Sequence, residues 1–461
     1  MKSQIRLGLQ TTRTLELRLD YLRNTKERAG FLRWLGREHP RAVLVATCRS
    51  RQGGGLFRGG RKIQLEILAE AVHAGCLWCD VEIETAKNFA PEELRSALFP
   101  ARIIVSHHDF RGTPRNLPSI VRRMARAGGH AVKVAAQCQS ISDSVRLYKL
   151  AHGRRDVVAV PMGEIGLAGR VLSLRGGSAL AYAAVEQATA PGQLSLDAMK
   201  RLYHAERITR RTRVYGVIGN PIGHSLSPLL HNTAFQARKF DAVFVPFLVR
   251  NLRDFLRSIK PFGIAGFAVT IPHKESILRQ LDDCDPLAAR IGAVNTVVVR
   301  GGGRLYGYNT DYVGVLRSLE RRVRLTGSRI LLFGAGGAAR AAAFALTQAG
   351  AIVCVSARRR ERARELARAT GSQVVERGEL RREFFDAIVN CTPVGMHPLR
   401  GSPLGSEELN CRMVMDMVYR PRTTELLQSA RRKGIETISG VEMFLTQGFA
   451  QYEIWTGERA P

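Results

Sequence analysis

Short apolar runs recur along the first 200 residues, and amphipathic stretches with helical periodicity lie between most of them. The runs are Leu15 to Leu19, Ala42 to Cys48, Leu77 to Ile83, Arg102 to Ser106, Ala131 to Ala136, Val157 to Val160 and Ala179 to Val185. Helices are predicted between them, for example over Lys62 to Ala74, Leu117 to Ala127 and Ser142 to Ala151. Repeated strand–helix units of this kind predict a parallel sheet, and their number indicates a (β/α)8-type barrel. In such barrels the chemistry lies at the carboxyl ends of the strands.

A different pattern begins with the apolar run Val214 to Ile218, which predicts a buried strand. The run breaks at Gly219-Asn-Pro221, and a helix is expected from Pro228. Ser227 suits an ordinary helix N-cap with proline at the first helical position. Ser225 then has no structural role, which indicates a site for a polar small molecule.

Further along, the apolar strand Arg329 to Phe333 runs directly into a glycine-rich turn and an alanine-rich helix. The turn carries the G-x-G-x-x-A pattern that is typical of dinucleotide-binding sites, in which the pyrophosphate binds at the N-terminus of the helix. Its candidate cofactor residues are Gly334, Ala335, Gly336, Gly337 and Ala338.

The next strand, Ile352 to Val355, ends in Ser356-Ala-Arg-Arg359 and lacks the acidic residue that binds the ribose of NAD. Ser356, Arg358 and Arg359 are therefore candidates for binding NADP, with Arg358 the leading one for the 2′-phosphate. The alternative is that these are ordinary surface arginines.

Charged residues also occur inside the predicted barrel strands. Glu16, Arg18 and Asp20 alternate with leucines, Arg49 follows the next run, and Glu82 lies in the third. A polar strand face is usually a solvated one, but both faces of a parallel sheet are normally covered. Charges that recur in successive strands therefore indicate a binding site.

Lys133 lies within the run Ala131 to Ala136. It is either paired with a carboxylate or held neutral by desolvation and nearby cations, for which Arg18, Arg49 and Arg170 are candidates. A neutral amine forms a Schiff base with a ketone. His108 could then move protons, with Glu82 orienting its ring. These residues predict a Schiff-base lyase that acts on an anionic keto acid.

In the second half, Lys274, Asn295 and Asp311 follow short apolar runs and glycines. Asp311 alone suits a helix cap, and Lys274 alone suits an exposed lysine in a first helical turn. Beside a dinucleotide site, the two could instead form the proton-transfer pair that accompanies hydride transfer to a carbonyl.

Length and composition limit the remaining possibilities. A chain of 461 residues predicts two or three domains. The net charge of +30 comes without an aromatic-interleaved basic patch, a zinc finger or a basic tail, so we expect a solvated arginine-rich surface and no nucleic-acid partner. Cys76-Leu-Trp-Cys79 is a lone CxxC among eight dispersed cysteines, so no metal is expected. No membrane partner is expected either, and the absence of a long apolar stretch and of a signal peptide favours the cytoplasm.

Residues ~15 to 200 resemble type I 3-dehydroquinate dehydratase. The motifs are Leu-Glu-Leu-Arg-Leu-Asp20, Ser-His-His-Asp-Phe110, Val-Lys-Val134 with Gln-Ser-Ile-Ser-Asp143, and Gly-Ser-Ala179 with Ala-Pro-Gly-Gln193. The resemblance implies Lys133 as the Schiff-base lysine and His108 as the general acid and base, with Glu82 beside it. The substrate-binding residues that it implies are Glu16, Arg18, Arg49, Arg170, Ser178 and Gln193.

The family has a strand and a helix before its Leu-Glu-x-Arg run, whereas only 14 residues precede Leu15 here. Either the true start lies upstream, or the barrel lacks its first strand–helix unit. A barrel without that unit exposes two sheet edges, which would lower the stability of this half.

Residues 214 to 455 resemble shikimate dehydrogenase. The motifs are Gly-Asn-Pro-Ile-Gly-His-Ser-Leu-Ser-Pro228, Val-Thr-Ile-Pro-His-Lys274, Gly-Ala-Val-Asn-Thr296, Asn-Thr-Asp311, Asn-Cys-Thr-Pro-Val-Gly395 and Gly-Val-Glu-Met-Phe-Leu-Thr-Gln447. The resemblance implies Lys274 and Asp311 as the catalytic pair. It implies substrate contacts from Ser225, Ser227, Thr270, Asn295, Tyr419 and Gln447, and a nicotinamide site lined by Thr392, Gly440 and Met443. Ala268 stands where the family often has asparagine, which removes a hydrogen bond of about 1 kcal/mol.

Together the resemblances imply a bifunctional enzyme that converts 3-dehydroquinate to 3-dehydroshikimate and reduces this to shikimate with NADPH. The expected domains are a dehydratase barrel (1–208), a substrate-binding domain (209–312, completed by 440–461) and a Rossmann-like NADP domain (313–439). The alternatives are a non-catalytic regulator or binding protein built on these domains, and a quinate dehydrogenase that uses NAD. The oligomeric state does not follow from the sequence.

Overall fold

The computed structural model describes residues 1–38, 41–186 and 192–461. The helices are α1 (Lys2–Leu9), α2 (Thr25–Glu38), α3 (Arg61–His73), α4 (Ile83–Ala86), α5 (Pro91–Ala97), α6 (Leu117–Arg126), α7 (Ile141–Ala151), α8 (Leu167–Gly176), α9 (Ser227–Ala237), α10 (Leu252–Phe262), α11 (Pro286–Ile291), α12 (Asp311–Glu320), α13 (Gly337–Gln348), α14 (Arg360–Thr370), α15 (Glu425–Arg432) and α16 (Gly440–Thr456). The strands are β1 (Thr14–Arg18), β2 (Val43–Thr47), β3 (Trp78–Glu82), β4 (Arg102–Asp109), β5 (Ala131–Gln137), β6 (Val157–Met162), β7 (Arg213–Gly219), β8 (Ala242–Leu248), β9 (Ile264–Val269), β10 (Asp283–Cys284), β11 (Thr296–Val299), β12 (Leu305–Tyr308), β13 (Arg329–Phe333), β14 (Ile352–Ser356), β15 (Gln373–Val374), β16 (Phe385–Asn390), β17 (Cys411–Asp416) and β18 (Glu436–Ser439).

The chain divides into two compact units. The first comprises Met1–Thr212 and Arg253–Gly263, and the second comprises Arg213–Leu252 and Ile264–Pro461.

The sheet of the first unit is parallel, with its six strands in chain order from β1 to β6. These strands coincide with the first six apolar runs of the sequence, and helices follow them as the amphipathic stretches predict. The seventh run, residues 179–185, lies wholly in the described part of the chain and contributes only an isolated bridge between Ala184 and Ser195. The α/β architecture is therefore a parallel half-barrel, which confirms the predicted fold class while leaving the seventh run without a strand.

Helix α1 lies beside the edge strand β1. Ile5 is buried, and a Cβ atom placed on Gly8 would be 2.8 Å from the side chain of Leu15 on β1 and 3.3 Å from that of Val185. Gln4 Nε2 also donates to Glu186 Oε2 at 3.0 Å. The helix therefore contacts both β1 and the segment that follows β6, so the edge of β1 is partly covered rather than fully exposed.

The second unit contains two six-stranded sheets. The first is mixed, with strand order β10-β12-β11-β9-β7-β8, in which β11 runs antiparallel to β9 and β12. Its central strands are buried because their sequences are almost entirely apolar, as in Val214 to Ile218 of β7. Ser225 lies in the turn after β7, Thr270 directly follows β9, and Asn295 directly precedes β11, so the strands position these polar residues.

The other sheet is parallel, with strand order β15-β14-β13-β16-β17-β18. Numbered from its own first strand, this is the order 3-2-1-4-5-6 of the Rossmann fold. The chain leaves the first strand, β13, through Gly334, whose φ of +124° is a conformation that L side chains rarely adopt. The predicted strand–turn–helix context of the glycine motif is present.

The segment between the last helix of the half-barrel and β7 contains a π-helical turn at Ala198–Leu202 and a 3-10 turn at Ala205–Arg207. Among the described residues, no helix combines the length and the apolar character needed to cross a bilayer.

Two candidate active sites

A cavity in the first unit brings together seven of the nine residues predicted for the dehydratase. Its lining includes Glu16, Arg18, Arg49, His108, Lys133, Arg170 and Gln193. They come from different strands and loops of the half-barrel, as expected for a site at the carboxyl ends of parallel strands. Four of the seven are cationic side chains, so the cavity suits an anionic ligand. Of the motif that contains Gln193, Ala190 and Pro191 lie outside the described residues.

Lys133 is buried on β5 and paired with two carboxylates. Its Nζ lies 2.9 Å from Asp80 Oδ2 and 3.3 Å from Glu16 Oε1. Burial favours the neutral amine, but Asp80 and Glu16 outweigh it and raise the pKa of Lys133 above the ordinary lysine value. Of the two alternatives for this residue, the structure therefore shows the carboxylate pair, and the expectation of a pKa lowered by surrounding cations is wrong for the ligand-free protein.

Asp80 is the centre of the charge network in this cavity. It is fully enclosed on β3, accepts from Arg49 Nη2 at 2.8 Å and receives a 2.5 Å hydrogen bond from Ser106 Oγ. Burial would raise the pKa of Asp80, but Arg49 and Lys133 hold it well below the usual value. One ionised carboxylate thus positions both cations.

Glu82 has a different role from the one predicted. Its carboxylate accepts from the backbone N–H and the hydroxyl of Ser50, both at 3.0 Å, and from Gln64 Nε2 at 2.7 Å. A Cβ atom on Gly53 would lie 1.9 Å from Glu82 Oε1, so the loop packs directly on this carboxylate. No hydrogen bond between described residues joins Glu82 to His108. Glu82 therefore fixes the loop after β2 and does not orient the imidazole.

His108 lies at the end of β4, within the cavity. Burial, Arg49 and Lys133 together hold the pKa of His108 well below that of a free imidazole. Its ring stacks against Phe110 with centroids 6.4 Å apart. A neutral imidazole at physiological pH is able to accept a proton.

The remaining predicted residues of this half divide between the cavity and the scaffold. Arg18 makes a bidentate pair with Asp20, with distances of 2.8 and 2.7 Å. Burial lowers the pKa of Arg170 to about 10. Ser178 does not line the cavity; its hydroxyl accepts from Ala159 N–H and donates to the carbonyl of Leu180. The structure therefore does not bring Ser178 together with the other predicted substrate-binding residues of this half.

In the second unit, Lys274 and Asp311 form a direct ion pair. Lys274 Nζ lies 2.5 Å from Asp311 Oδ2, and Asn295 Nδ2 donates to Asp311 Oδ1 at 2.9 Å. Asn295 also donates to Thr310 Oγ1 at 2.9 Å and approaches Gln447 Oε1 at 3.4 Å. Asp311 begins α12, yet its carboxylate bonds to these side chains. The simple alternative of a helix cap is therefore wrong.

Lys274 lies in the turn before a 3-10 helix, Ser276–Gln280, and not in the first turn of an α-helix. Its side chain is only 16% exposed, so the alternative of a solvated surface lysine is also wrong. A Cβ atom on Gly337 would be 2.9 Å from the Cβ of Lys274. The missing side chain at Gly337 therefore allows the glycine turn to contact Lys274 of the ion pair.

The roles of the two serines differ from the sequence prediction. Helix α9 begins at Ser227, and its N-cap is Leu226 without a side-chain hydrogen bond. Ser225 Oγ instead accepts from the backbone N–H of Ser227 at 3.2 Å. Ser225, and not Ser227, therefore bonds the first turn of the helix.

Tyr419 is also near this turn, since its hydroxyl forms a hydrogen bond with Ser225. Burial raises the pKa of Tyr419, and this hydrogen bond partly offsets the rise. The ring of Tyr419 packs on Phe444 with centroids 4.7 Å apart. Thr270 follows β9, and its N–H donates to the carbonyl of Ile218 at 3.0 Å. The structure thus brings Ser225 and Tyr419 together from widely separated parts of the chain.

Beside the dinucleotide turn, Thr392 is held by a buried network. Its N–H and hydroxyl donate to Asn390 Oδ1 at 2.9 and 2.7 Å, and Asn390 Nδ2 donates to Asp416 Oδ1 at 2.9 Å. The side chain of Thr392 would lie 3.1 Å from a Cβ atom on Gly334. The predicted nicotinamide residue and the glycine turn are therefore in contact.

The other predicted cofactor residues lie where their motifs place them. Ser356 is buried at the end of β14, and Arg358 and Arg359 follow it on the surface. Gly440 begins α16, and Met443, one turn later, is buried in the core beside α12. No described cluster of three or more His, Cys, Asp or Glu residues could hold a metal ion.

Sequence reasoning missed three residues of these sites. Asp80 was detectable because it precedes Glu82 by two positions and shares its face of β3. Asn390 was also detectable, because it is the last residue of β16 and ligands of Rossmann folds bind at the carboxyl ends of the strands. Tyr182 carried no sequence indication, because it lies in an apolar run without charged neighbours.

Both halves of the chain match known protein families. Residues 2–210 match the family model for type I 3-dehydroquinase, 217–297 match the shikimate dehydrogenase substrate binding domain, and 440–461 match the shikimate 5'-dehydrogenase C-terminal domain. A bifunctional 3-dehydroquinate dehydratase/shikimate dehydrogenase of Arabidopsis thaliana, named as chloroplastic, is 35% identical over 97% of this chain and 78% of its own length.

Two further proteins match the second half. A shikimate dehydrogenase (NADP(+)) of Bacillus anthracis is 44% identical over 53% of this chain and 93% of its own. A crystal structure of shikimate 5-dehydrogenase from Thermus thermophilus in complex with NADP(H) and shikimate is 36% identical and covers 54% of this chain and 95% of its own, with a TM-score of 0.50. The chain therefore belongs to the family of bifunctional enzymes that join a type I 3-dehydroquinate dehydratase to a shikimate dehydrogenase.

Proposed function

We propose that the first half of the chain dehydrates 3-dehydroquinate to 3-dehydroshikimate through a Schiff base on Lys133. The observation that carries this proposal is the buried Lys133 in a cationic cavity that it shares with a neutral His108. Arg18, Arg49 and Arg170 supply positive charge for the substrate carboxylate. Glu16 and Gln193 supply acceptors and donors for its hydroxyl groups.

In this mechanism Lys133 gives a proton to the neighbouring carboxylate of Glu16, and the neutral amine attacks the ketone carbon. The carbonyl oxygen takes up that proton and a second one from the nitrogen and leaves as water. The resulting protonated imine withdraws electrons from the neighbouring carbon. His108, whose lowered pKa keeps it neutral, accepts the proton from that carbon. It then protonates the departing hydroxyl group, so that water is eliminated across the new double bond, and hydrolysis of the imine restores the lysine.

The second half, on this proposal, reduces 3-dehydroshikimate to shikimate with NADPH. The observation that carries it is the 2.5 Å Lys274–Asp311 pair, held by Asn295 against the glycine turn. The turn fits a dinucleotide, because Gly334 has a positive φ and a Cβ atom on Gly336 would meet nothing within 4 Å. When bound, the cofactor supplies the hydride.

The residues of this site hold the substrate and move the proton. Lys274 Nζ is placed to donate a proton to the carbonyl oxygen as that oxygen gains charge. Asp311 holds the Lys274 side chain in position through their ion pair. Ser225, Ser227, Thr270, Tyr419 and Gln447 are proposed to bind the ring hydroxyls and the carboxylate.

We propose NADP rather than NAD as the cofactor. The support is the exposed pair Arg358 and Arg359 after β14, where a carboxylate would repel the 2′-phosphate. The named cofactors of the Bacillus and Thermus relatives agree with this choice. A cytoplasmic site of action, with small molecules as the ligands, remains part of the proposal.

A coupled assay tests both reactions in one chain. The wild-type protein should oxidise NADPH when given 3-dehydroquinate alone, because the first site makes the substrate of the second. Borohydride added with 3-dehydroquinate should attach the substrate to Lys133, as read by peptide mass spectrometry. A wild-type protein that neither oxidises NADPH nor becomes labelled contradicts the proposal.

The variants Lys133→Ala and Lys274→Ala act as matched controls for each other. The first should lose the coupled reaction but still reduce added 3-dehydroshikimate. The second should still dehydrate 3-dehydroquinate but reduce nothing. Loss of both activities in either variant would show that the two sites are assigned wrongly.

A further inference from the structure

Tyr182 lies in the dehydratase cavity, next to the lysine that reacts. It follows β6 in the segment that forms no strand, and it lines the cavity together with Lys133, His108 and Glu16. Lys133 Nζ lies over its ring, 3.9 Å from the centroid. A cation in this position is attracted to the ring face, so the ring contributes to holding the ammonium in place.

The hydroxyl of Tyr182 is buried, and no described residue accepts a hydrogen bond from it within 3.5 Å. The ammonium of Lys133, which can only donate, interacts with its oxygen. An unsatisfied buried hydroxyl lowers the stability of a fold, and such groups are uncommon in folded proteins. Burial also raises the pKa of Tyr182 above that of a free phenol, more than Lys133 lowers it, so the hydroxyl keeps its proton. The cavity therefore contains a neutral donor without an acceptor, close to the reacting nitrogen.

We propose that the Tyr182 hydroxyl is a catalytic group of the dehydratase, which donates a hydrogen bond to the substrate's carbonyl oxygen while Lys133 attacks the carbon. This inference rests on the proposed Schiff-base reaction. Negative charge develops on that oxygen as the nitrogen–carbon bond forms, and a donor already in place stabilises the charge without reorganisation. The substrate's carbonyl oxygen also supplies the acceptor that the described residues do not provide.

The atoms of this step balance with the groups that the cavity contains. Lys133 begins as an ammonium, since Asp80 and Glu16 raise its pKa. One proton first passes to the carboxylate of Glu16, 3.3 Å from Nζ, and leaves a neutral amine whose lone pair attacks the carbon. This proton and a second one from the nitrogen then reach the carbonyl oxygen, which leaves as water. The product is a protonated imine with one remaining N–H. Tyr182 stabilises the oxygen throughout and ends with its own proton.

The test is Tyr182→Phe in the full chain, which removes the hydroxyl and keeps the ring over Lys133. We expect kcat for dehydration, and the rate of borohydride-trapped adduct formation, to fall about tenfold to a hundredfold, as for the loss of one donor to a developing charge. We expect the melting temperature to stay the same or rise, because an unsatisfied buried group is removed. The reduction of added 3-dehydroshikimate should not change.

Tyr452→Phe is the matched control. Tyr452 is fully buried in the second unit, and no described residue accepts a hydrogen bond from its hydroxyl within 3.5 Å either. Its loss should leave the melting temperature the same or higher and should leave dehydration unchanged. A purely structural hydroxyl at position 182 would instead lower the melting temperature when removed.

Two results would overturn the assignment of Tyr182. One is wild-type dehydration and trapping kinetics in Tyr182→Phe, and the other is a loss of activity that is matched by a lower melting temperature. If wild-type protein itself forms no trapped adduct, the proposed Schiff-base function fails, which is a separate outcome. Tyr182→Leu, which also removes the ring, should lower the rate further because Lys133 loses its cation–π contact.

Discussion

Asp80 determines the charge state of the reactive lysine, and Asp80→Asn tests this directly. The substitution keeps the shape of the side chain and removes a negative charge 2.9 Å from Lys133 Nζ. Coulomb's law with an effective dielectric constant of about 20 gives roughly 6 kcal/mol for two unit charges at this distance. Since about 1.4 kcal/mol corresponds to one pH unit, the titration midpoint of Lys133 should fall by more than one unit.

The assay is competitive labelling of Lys133 with acetic anhydride as a function of pH, without substrate, read by peptide mass spectrometry. Only the free amine reacts, so the labelling midpoint follows the pKa of Lys133. In the same variant the buried charges of Arg49 and Lys133 lose the carboxylate that pairs with both of them. This loss should reduce the free energy of unfolding by about 3–5 kcal/mol. Dehydration should slow as well, because Asp80 also positions Arg49.

The charge of Lys133 makes the stability of the fold depend on pH in a predictable direction. Because the pKa of Lys133 is raised in the folded protein, its stabilising contribution is complete below the pKa of an unfolded lysine. The contribution is lost as the pH rises through the higher folded value. Asp80→Asn should therefore flatten the loss of stability between neutral and strongly alkaline pH, as measured by urea unfolding.

Asp156→Asn is the matched control, because Asp156 pairs with Arg154 on the surface and belongs to no charge network around Lys133. Its Lys133 labelling curve should coincide with that of the wild type. An unchanged labelling midpoint in Asp80→Asn would refute the reasoning, since the carboxylate would then not be what keeps Lys133 charged.

Three further substitutions test the second half. Arg358→Ala should raise KM for NADPH about tenfold while leaving KM for NADH unchanged, because only NADPH carries the 2′-phosphate; equal effects on both cofactors would contradict the role of Arg358. Gly336→Ala should leave the melting temperature unchanged, because its Cβ would meet nothing within 4 Å. It should nevertheless raise KM for NADPH in steady-state kinetics, because the methyl group obstructs the pyrophosphate. Gly378→Ala, whose surroundings are equally open, should change neither the melting temperature nor KM. Asn295→Ala removes the 2.9 Å hydrogen bond to Asp311 and should lower kcat for reduction by about tenfold without affecting dehydration; an unchanged kcat would show that Asn295 does not orient Asp311.

Several strands, one turn and four site candidates were predictable from the sequence. Six apolar runs of the first half became strands, because buried parallel strands require continuous apolar sequence. The predicted glycine turn also formed, because the positive φ of Gly334 favours glycine. Lys133, His108, Lys274 and Asp311 were also identifiable from the sequence, because charged or polar groups at strand ends are unusual unless they act on a ligand. These are local properties, so they are visible in a single stretch of chain.

The partners of those residues depend on contacts between distant segments. The sequence left open whether Lys133 is paired, and the pairing with Asp80 decides between the two alternatives. The roles of Ser225, which bonds the first turn of α9, and of Glu82, which fixes a loop, differ from the sequence prediction. The orphaned hydroxyl of Tyr182 is a consequence of tertiary packing as well, since nothing in its apolar surroundings along the chain indicates a catalytic group. The sequence alone determined the fold class and the family and supplied the candidates for the reacting side chains, because these follow from residue type and spacing. Only the tertiary structure decided the protonation state and the hydrogen-bond partners of those side chains, because charge interactions and burial are set by the groups that folding brings together.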